Sequence, residues 1–358
     1  MNGRTLNLQL LFFIVFFTSC NSLAQQPDFR LRIDSLITAK TATPFNGIIV
    51  ISQNGVTKYS KAQGYSDFEN KILLNQFNQF VIGPISKQIT AVLVLQESDK
   101  GNLKLNVPIR QYLPKLNQPW ADTVTIHQLL THTHGITELD KPLSFKAGSS
   151  FAYSQIGYDL LAKIIEQTSK KSFADLSAEL FSTCKMYNTF HPSLHKHKNL
   201  VKGYTELADG NLVVENNNSQ YNVAAGGFIS TANDLVLWNN ALFIERKLLK
   251  RSYAQMIKKQ KGATRNHPLF GSTDYGYGIT IDTNDNITQL GQTGFVPGFA
   301  SMNFYFPESK TSVIVLENVA RGNDDLKKTF YYHLAILKML RADKMLVKQT
   351  VKKSPSKH

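Results

Sequence analysis

Residues 80–88 read FVIGPISKQ, and this stretch decides the fold of the chain. Gly83 and Pro84 are predicted to open a helix that runs to about Ser98, because the missing N–H of a proline has no partner at a first helical position. Gly101 is predicted to end that helix, since glycine readily adopts the left-handed conformation of a helix terminus.

A β-hairpin is predicted just before this helix. Residues 47–52 and 56–60 are rich in strand-forming side chains, and the tripeptide at 53–55, Gln-Asn-Gly, separates them. Asn-Gly between two such runs is a strong signal for a tight hairpin turn. An amphipathic helix over residues 29–39 is predicted to precede the hairpin.

Helical and strand patterns follow one another along the rest of the chain. The helices predicted downstream cover residues 126–131, 157–168, 172–181 and 232–243. The remaining predicted elements are strands over 276–282, 300–306 and 312–316 and a terminal helix over 324–340.

This order of elements predicts an α/β fold of the α+β kind, in which helices flank an antiparallel sheet. The α/β part is built from both chain ends, about 27–100 and 265–345, and an all-helical domain of about 101–264 is inserted between them. The length of 358 residues agrees with two packed units, since single cores stop growing near roughly 250–300 residues.

Residues 1–24 have the composition of a signal peptide. Arg4 precedes an apolar run over 6–17, and small and polar residues follow that run. Cleavage before Gln25 predicts a periplasmic or secreted protein. Residues 17–20 read FTSC and resemble a lipobox, so a lipid anchor at Cys20, which would give a membrane-anchored lipoprotein, is the alternative.

Composition excludes several classes of protein. Hydrophobic residues make up 42% of the chain, which is too many for global disorder. The 2 cysteines exclude a disulfide-rich scaffold and a four-cysteine zinc site, and Cys184 is interpreted as a small buried residue. The net charge of +14 admits acidic partners, but part of it lies in a basic tail over residues 346–358, and no nucleic-acid partner is expected.

A series of short segments resembles the serine β-lactamase and penicillin-binding protein superfamily, and the class C β-lactamase and esterase-like branch matches best. In chain order they are FVIGPISKQ (80–88), LLTHTHGI (129–136), YSQIGY (153–158), AGGFIST (225–231), YGYG (275–278), GQTG (291–294) and PGF (297–299). The ordered set is far more specific than any single motif. The resemblance implies a β-lactamase/transpeptidase-like fold.

In that superfamily a serine nucleophile and a lysine stand three residues apart on one helix face. The resemblance assigns the lysine to Lys87 and the nucleophile position to Pro84, which has neither a hydroxyl nor a backbone N–H for the oxyanion hole. Losing one oxyanion donor costs roughly 10²–10³ in rate, and losing a nucleophile from a cooperating set costs roughly 10⁶. Ser86, about 100° around the helix from Lys87, is a weaker candidate nucleophile.

The other motifs keep part of the superfamily's pattern. Tyr153 occupies the proton-relay position of a Tyr-x-Asn motif, in which Gln155 replaces the asparagine. Gln292 replaces the lysine or histidine of a Lys/His-Thr-Gly motif. The candidate catalytic residues are therefore Lys87 and Tyr153, kept either as a polar pair in a pocket or because they satisfy each other's hydrogen bonds. The residues expected to line the pocket are Gln155, Gln292, Thr293 and Gly294.

Histidines do not complete a metal site in the sequence. His132 and His134 lie in the LLTHTHGI segment, which resembles a structural turn of the superfamily, and no nearby carboxylate or cysteine completes a ligand set. His191, His195 and His197 fall on a predicted surface loop. Neither a metal nor another cofactor is expected.

Three functions remain open at this point. The first is an exported pseudoenzyme whose former active-site cleft binds a peptide or a cell-wall fragment such as a muropeptide, or a protein partner. The second is an active hydrolase of the esterase, D-amino-acid peptidase or β-lactamase type, which uses Ser86 or a water activated by Lys87 and Tyr153. The third is an envelope protein that binds polyanions through its net charge.

Overall fold

The computed structural model describes residues 28–347 except 42, 195–198, 217–221, 322–324 and 344. The predicted signal peptide with Cys20, most of the predicted basic tail, and His195 and His197 lie outside the described residues. No helix in the described ranges has both the length and the apolar character that crossing a membrane requires.

One large antiparallel sheet organises the molecule. The strands are β1 (Gly47–Gln53), β2 (Val56–Gln63), β3 (Tyr65–Asp67), β4 (Ile72–Leu73), β5 (Phe80–Val81), β6 (Tyr204–Glu206), β7 (Leu212–Val214), β8 (Ile229–Ser230), β9 (Thr264–His267), β10 (Gly271–Tyr275), β11 (Thr280–Asp282), β12 (Gln289–Val296), β13 (Phe299–Phe306), β14 (Thr311–Glu317) and β15 (Val319–Arg321). The large sheet has the strand order β2-β1-β14-β13-β12-β11-β10-β9, and smaller sheets have the orders β15-β6-β7, β3-β4 and β5-β8.

Helices cover both faces of this sheet. They are α1 (Phe29–Thr38), α2 (Ser86–Lys100), α3 (Ile126–Leu130), α4 (Ile156–Ser169), α5 (Phe173–Thr183), α6 (Ala232–Asn239), α7 (Tyr253–Met256), α8 (Leu326–Thr329) and α9 (Tyr331–Ala342). α1 and α9 pack on one face, and α2 with the inserted helices packs on the other. The predicted α/β class, with an antiparallel sheet flanked by helices, is confirmed.

Side-chain alternation in β1 explains why its central residues, 48–51, are all apolar. Ile48 and Val50 belong to the core shared with α2, whereas Ile49 and Ile51 belong to the core under α1 and α9. Successive side chains of a strand point to opposite faces. A strand covered on both faces therefore favours apolar residues at successive positions.

The predicted hairpin forms, and so does the predicted helix, apart from its first residues. Asn54 and Gly55 have φ values of 52° and 78°, the positive values that a tight hairpin turn requires. At the far end of α2, Gly101 adopts the predicted left-handed conformation, with φ 86°. The helix starts slightly later than predicted, because Gly83–Ile85 form a 3-10 turn and α2 begins at Ser86.

Two predicted elements near the C-terminus differ from the structure. The strand predicted over 276–282 is wrong in its first half, since β10 ends at Tyr275 and β11 begins at Thr280. Between them a Cβ on Gly278 would lie 2.5 Å from the Lys87 carbonyl oxygen, so this turn lies directly against α2. The terminal helix predicted over 324–340 forms two helices, which meet at Phe330.

The inserted segment is mainly helical, but the prediction that it is all helical is wrong. β6 pairs with β15 and β7, and β8 pairs with β5. Strands of two or three residues are too short to show a period in the sequence. Leu346, which the sequence placed in the basic tail, is buried in the core under α1 and α9. The packed domain therefore extends beyond the predicted boundary.

Candidate functional site

The turn that carries Pro84 lies against the middle of the sheet. It packs on β12, where a Cβ added to Gly294 would lie 2.3 Å from the Ile82 carbonyl oxygen. The hydroxyl of Ser301, on β13, donates a hydrogen bond to the same carbonyl at 2.8 Å. These contacts hold the start of α2 beside the sheet, at its junction with the inserted helices.

Lys87 is fully buried in this junction. Its Nζ donates hydrogen bonds to Gln155 Oε1 at 2.5 Å and to the Ala225 carbonyl at 2.8 Å, and it lies 4.7 Å from the centre of the Tyr153 ring. The Lys87 amine therefore lies over the face of the Tyr153 ring, and its hydrogen bonds go to Gln155 and Ala225. Burial lowers the pKa of Lys87 well below its usual value, and the charge of Arg265 lowers it further. Both effects favour a neutral amine.

Ser86 has a different environment from Lys87. Its side chain is fully buried, and its Oγ accepts a hydrogen bond from the Phe228 N–H at 3.2 Å. Phe228 follows the π-helical turn Val223–Gly227. The Ser86 hydroxyl is therefore committed to backbone on this turn, as the roughly 100° between successive helical residues leads one to expect.

Arg265, on the edge strand β9, lies over the other candidate catalytic residue, Tyr153. Its guanidinium carbon is 4.3 Å from the centre of the Tyr153 ring, within the range of a cation–π contact. Arg265 is half-buried, and no carboxylate in the described part of the chain pairs with it. Burial raises the pKa of the Tyr153 phenol to about 12, so the site presents a cation beside an uncharged hydroxyl.

The Gln292 side chain forms its hydrogen bonds inside the protein. Gln292 is fully buried, donates to the Tyr275 hydroxyl at 2.7 Å and accepts from Thr280 Oγ1 at 3.1 Å. Its neighbour Thr293 is half-buried, with its hydroxyl 3.3 Å from His267 Nε2. The uncharged amide of Gln292 therefore has both its donor and its acceptor engaged inside the protein.

His132 supports the Tyr153 loop, and its surroundings do not suit a metal. Its ring centre lies 4.4 Å from that of Tyr153, and its Nδ1 accepts a hydrogen bond from the Ser154 N–H at 3.2 Å. The Nδ1 of His134 likewise accepts from the Ile136 N–H. Across the described ranges, no group of three or more metal-ligating side chains occurs. Burial lowers the pKa of His132 well below its usual value, which keeps the ring neutral.

Sequence reasoning missed Arg265 and the strand on which it lies. Residues 264–267 read TRNH, with no apolar alternation, so the segment carries no strand signal. β12 was also missed, because its sequence QLGQTGFV mixes glycines with polar residues. His132, which holds Ser154, also has a positive φ of 57°, a conformation that residues other than glycine adopt infrequently and that no sequence pattern revealed.

Asp159 is expected to make the protein less stable as the pH rises. Burial raises the pKa of its carboxyl to about 6, above the value of about 3.9 for an unfolded aspartate. The folded state therefore binds more protons between pH 4 and 6, and stability falls through this window as pH increases. Asp159→Asn should stabilise the protein by about 1 kcal/mol at pH 7 and by almost nothing at pH 4.

Thermal unfolding of Asp159→Asn and wild type across pH 4–7 measures this difference. A gap in unfolding temperature that is constant over the whole range would contradict the titration and indicate an effect of packing alone.

The antiparallel sheet, the helix that starts at its centre and the Lys87–Tyr153 pair together define a protein of the β-lactamase/transpeptidase-like class. The profile of the family described as Beta-lactamase matches residues 33–338. The chain therefore belongs to the Beta-lactamase family.

Individual proteins agree with this assignment. The chain is 24% identical over 293 residues to "Putative penicillin-binding protein PbpX" of Bacillus subtilis, covering 77% of this chain and 71% of that protein. It is 22% identical over 322 residues to "Protein flp" of Staphylococcus aureus, covering 82% of this chain and 64% of that protein. The chain thus spans roughly two thirds of the length of these relatives.

Solved structures show the same fold. A penicillin-binding protein homologue from Pyrococcus abyssi, described as octameric, superposes with a TM-score of 0.69 and 27% identity, over 82% of this chain and 74% of that one. A D-amino acid amidase from Ochrobactrum anthropi superposes with a TM-score of 0.78 and 20% identity, over 88% of this chain and 99% of that one.

Proposed function

We propose that this chain is an exported, catalytically impaired member of its family that binds a peptide or cell-wall-type ligand in the former active-site cleft. The observation that carries the proposal is the environment of Lys87. Its amine is bonded to Gln155 and Ala225, a proline stands three residues before it, and the hydroxyl of Ser86 is bonded to Phe228. In this arrangement no serine hydroxyl of α2 is placed for Lys87 to activate.

The charge around the cleft supports an anionic group on the ligand. Arg265 lies over Tyr153 with no carboxylate partner in the ranges that the structure describes, and a half-buried, unpaired guanidinium favours a carboxylate strongly, since it can offer two parallel hydrogen bonds. A peptide with a free C-terminal carboxylate supplies that group. We infer that Arg265 binds it at the mouth of the cleft.

Covalent labelling tests the loss of catalysis. Wild type should show no labelling by a fluorescent penicillin or by a fluorophosphonate probe above a heat-denatured sample. Robust labelling that disappears in Ser86→Ala would overturn the impaired-enzyme proposal, because it would make Ser86 a working nucleophile.

Replacing Arg265 should weaken ligand binding selectively. Arg265→Ala should raise the Kd for an acyl-D-alanyl-D-alanine peptide about tenfold, the worth of a charge-assisted hydrogen bond, and should leave the already weak binding of the C-terminal amide unchanged. Isothermal titration calorimetry measures both ligands.

Arg246→Ala is the matched control for this experiment. Arg246 lies 4.8 Å over the ring of Tyr253, so it makes the same kind of stacking contact outside the cleft. An equal loss of affinity in both variants, or equal affinities of the acid and the amide, would remove Arg265 from the proposal.

The active hydrolase remains the second candidate, and one observation favours it. Because burial lowers the pKa of Lys87, its amine is suited to accept a proton from a water molecule. This alternative expects turnover of a nitrophenyl ester or of nitrocefin that is lost in Lys87→Met and in Tyr153→Phe. Turnover no faster than in buffer would exclude it.

A further inference from the structure

A cavity lies in the inserted segment, and none of the candidate site residues lines it. It measures about 310 Å³, at the lower end of the roughly 300–1,000 Å³ typical of small-molecule sites. One wall is the turn over residues 112–116, the facing wall is α4, and Leu139 stands at the rim. This volume suits one narrow ligand rather than a lipid with two chains.

The helix wall follows from the periodicity of α4. Leu160, Lys163 and Gln167 all line the cavity, and the spacing of three and four residues places them on one helix face. Leu160 is 2% exposed and forms the apolar floor. Lys163, one turn further along α4, is exposed, and its ammonium group lies at the opening of the cavity.

The opposite wall is held in place by hydrogen bonds. Arg110 donates to the carbonyl oxygens of Leu116 and Gln118 and pairs with Asp122. At the start of the turn, the Tyr112 hydroxyl accepts a hydrogen bond from the Lys104 N–H at 2.7 Å. The cavity is therefore preformed, which reduces the entropy cost of binding a ligand.

Charge and polarity together indicate the ligand. Most of the lining is apolar, from leucine, proline and tyrosine side chains, and the charged groups on it are the ammonium groups of Lys115 and Lys163. Neither lysine forms an ion pair with another described residue. No described carboxylate lines the cavity, and Asp159, one turn before Lys163, lies outside the lining. We propose that this cavity binds a single-chain amphiphile with an anionic head, of the fatty-carboxylate class.

A series of ligands tests the chemistry of the cavity. Isothermal titration calorimetry with hexanoate, octanoate and decanoate should show Kd falling about three- to fourfold for each added methylene, until the chain fills the cavity. Decanol should bind about tenfold more weakly than decanoate, and decylamine more weakly still. Equal binding of the three headgroups, or no binding of decanoate, would overturn the proposal.

Variants place the binding in this cavity. Leu139 is 39% exposed, so Leu139→Asp should leave the fold intact and weaken decanoate binding about tenfold by repulsion. Lys115→Glu with Lys163→Glu should have at least a similar effect. The control, Lys58→Glu with Lys185→Glu, makes the same change in net charge at exposed positions outside the cavity. Binding that survives the cavity variants, or that falls equally in the control, would place the amphiphile elsewhere.

Discussion

Replacing Pro84 with serine is expected to give a protein that a fluorescent penicillin or a fluorophosphonate labels covalently, and more strongly than wild type. The substitution restores a hydroxyl three residues before Lys87 and a backbone N–H at the same residue, the two groups that proline lacks. Lys87 is already suited to act as the base, because burial lowers its pKa. Removing a nucleophile from such a set costs roughly 10⁶ in rate, so even partial recovery should exceed wild type by about 100-fold.

Two variants separate the causes of this gain. Pro84→Ala restores the N–H without the hydroxyl and should remain unlabelled. Pro84→Ser combined with Lys87→Met should lose the labelling, since no base remains. Pro84→Ser combined with Gln155→Asn and Gln292→His is the most complete restoration that the motifs suggest. If this variant also remains unlabelled, the cleft has diverged at further positions, and Pro84 is not the main cause of lost acylation.

Replacing Gly294 with alanine is expected to destabilise the protein by about 3 kcal/mol, the upper part of the range for overpacking a filled site. The new Cβ would lie 2.2 Å from Ser301 Oγ and 2.3 Å from the Ile82 carbonyl oxygen. The backbone contact is the costly one, because the turn that carries Pro84 must move away from β12. Thermal unfolding should show a fall of several degrees.

Gly226→Ala is the matched control for Gly294→Ala. Gly226 faces the same turn, but its added Cβ would meet no atom closer than 3.6 Å, the Gly83 carbonyl carbon, which is an ordinary contact. We expect its stability to remain within about 1 kcal/mol of wild type. A Gly294→Ala protein as stable as Gly226→Ala would show that the turn and the sheet are not tightly packed.

Much of the scaffold could be predicted from local sequence. The Asn54-Gly55 turn, the end of α2 at Gly101 and the apolar strand β1 each follow from a residue's own conformational preference or from a short period. The predicted burial of Cys184 follows from the residue type, because a free cysteine behaves as a small apolar residue. In the structure Cys184 is buried, and burial raises the pKa of its thiol to about 11. These features do not depend on distant segments, because the conformational preferences of a few neighbouring residues determine them.

The sequence by itself determined the family pattern and the α/β class, and it predicts that Pro84 occupies the nucleophile position. Only the tertiary structure decided that Arg265 stacks on Tyr153, a residue far earlier in the chain, and that Ser86 bonds to Phe228. Only the tertiary structure also joined Lys87 to Gln155. The reason is physical: these contacts link segments whose proximity depends on how the whole sheet and its helices pack, and no local preference of the chain encodes that proximity.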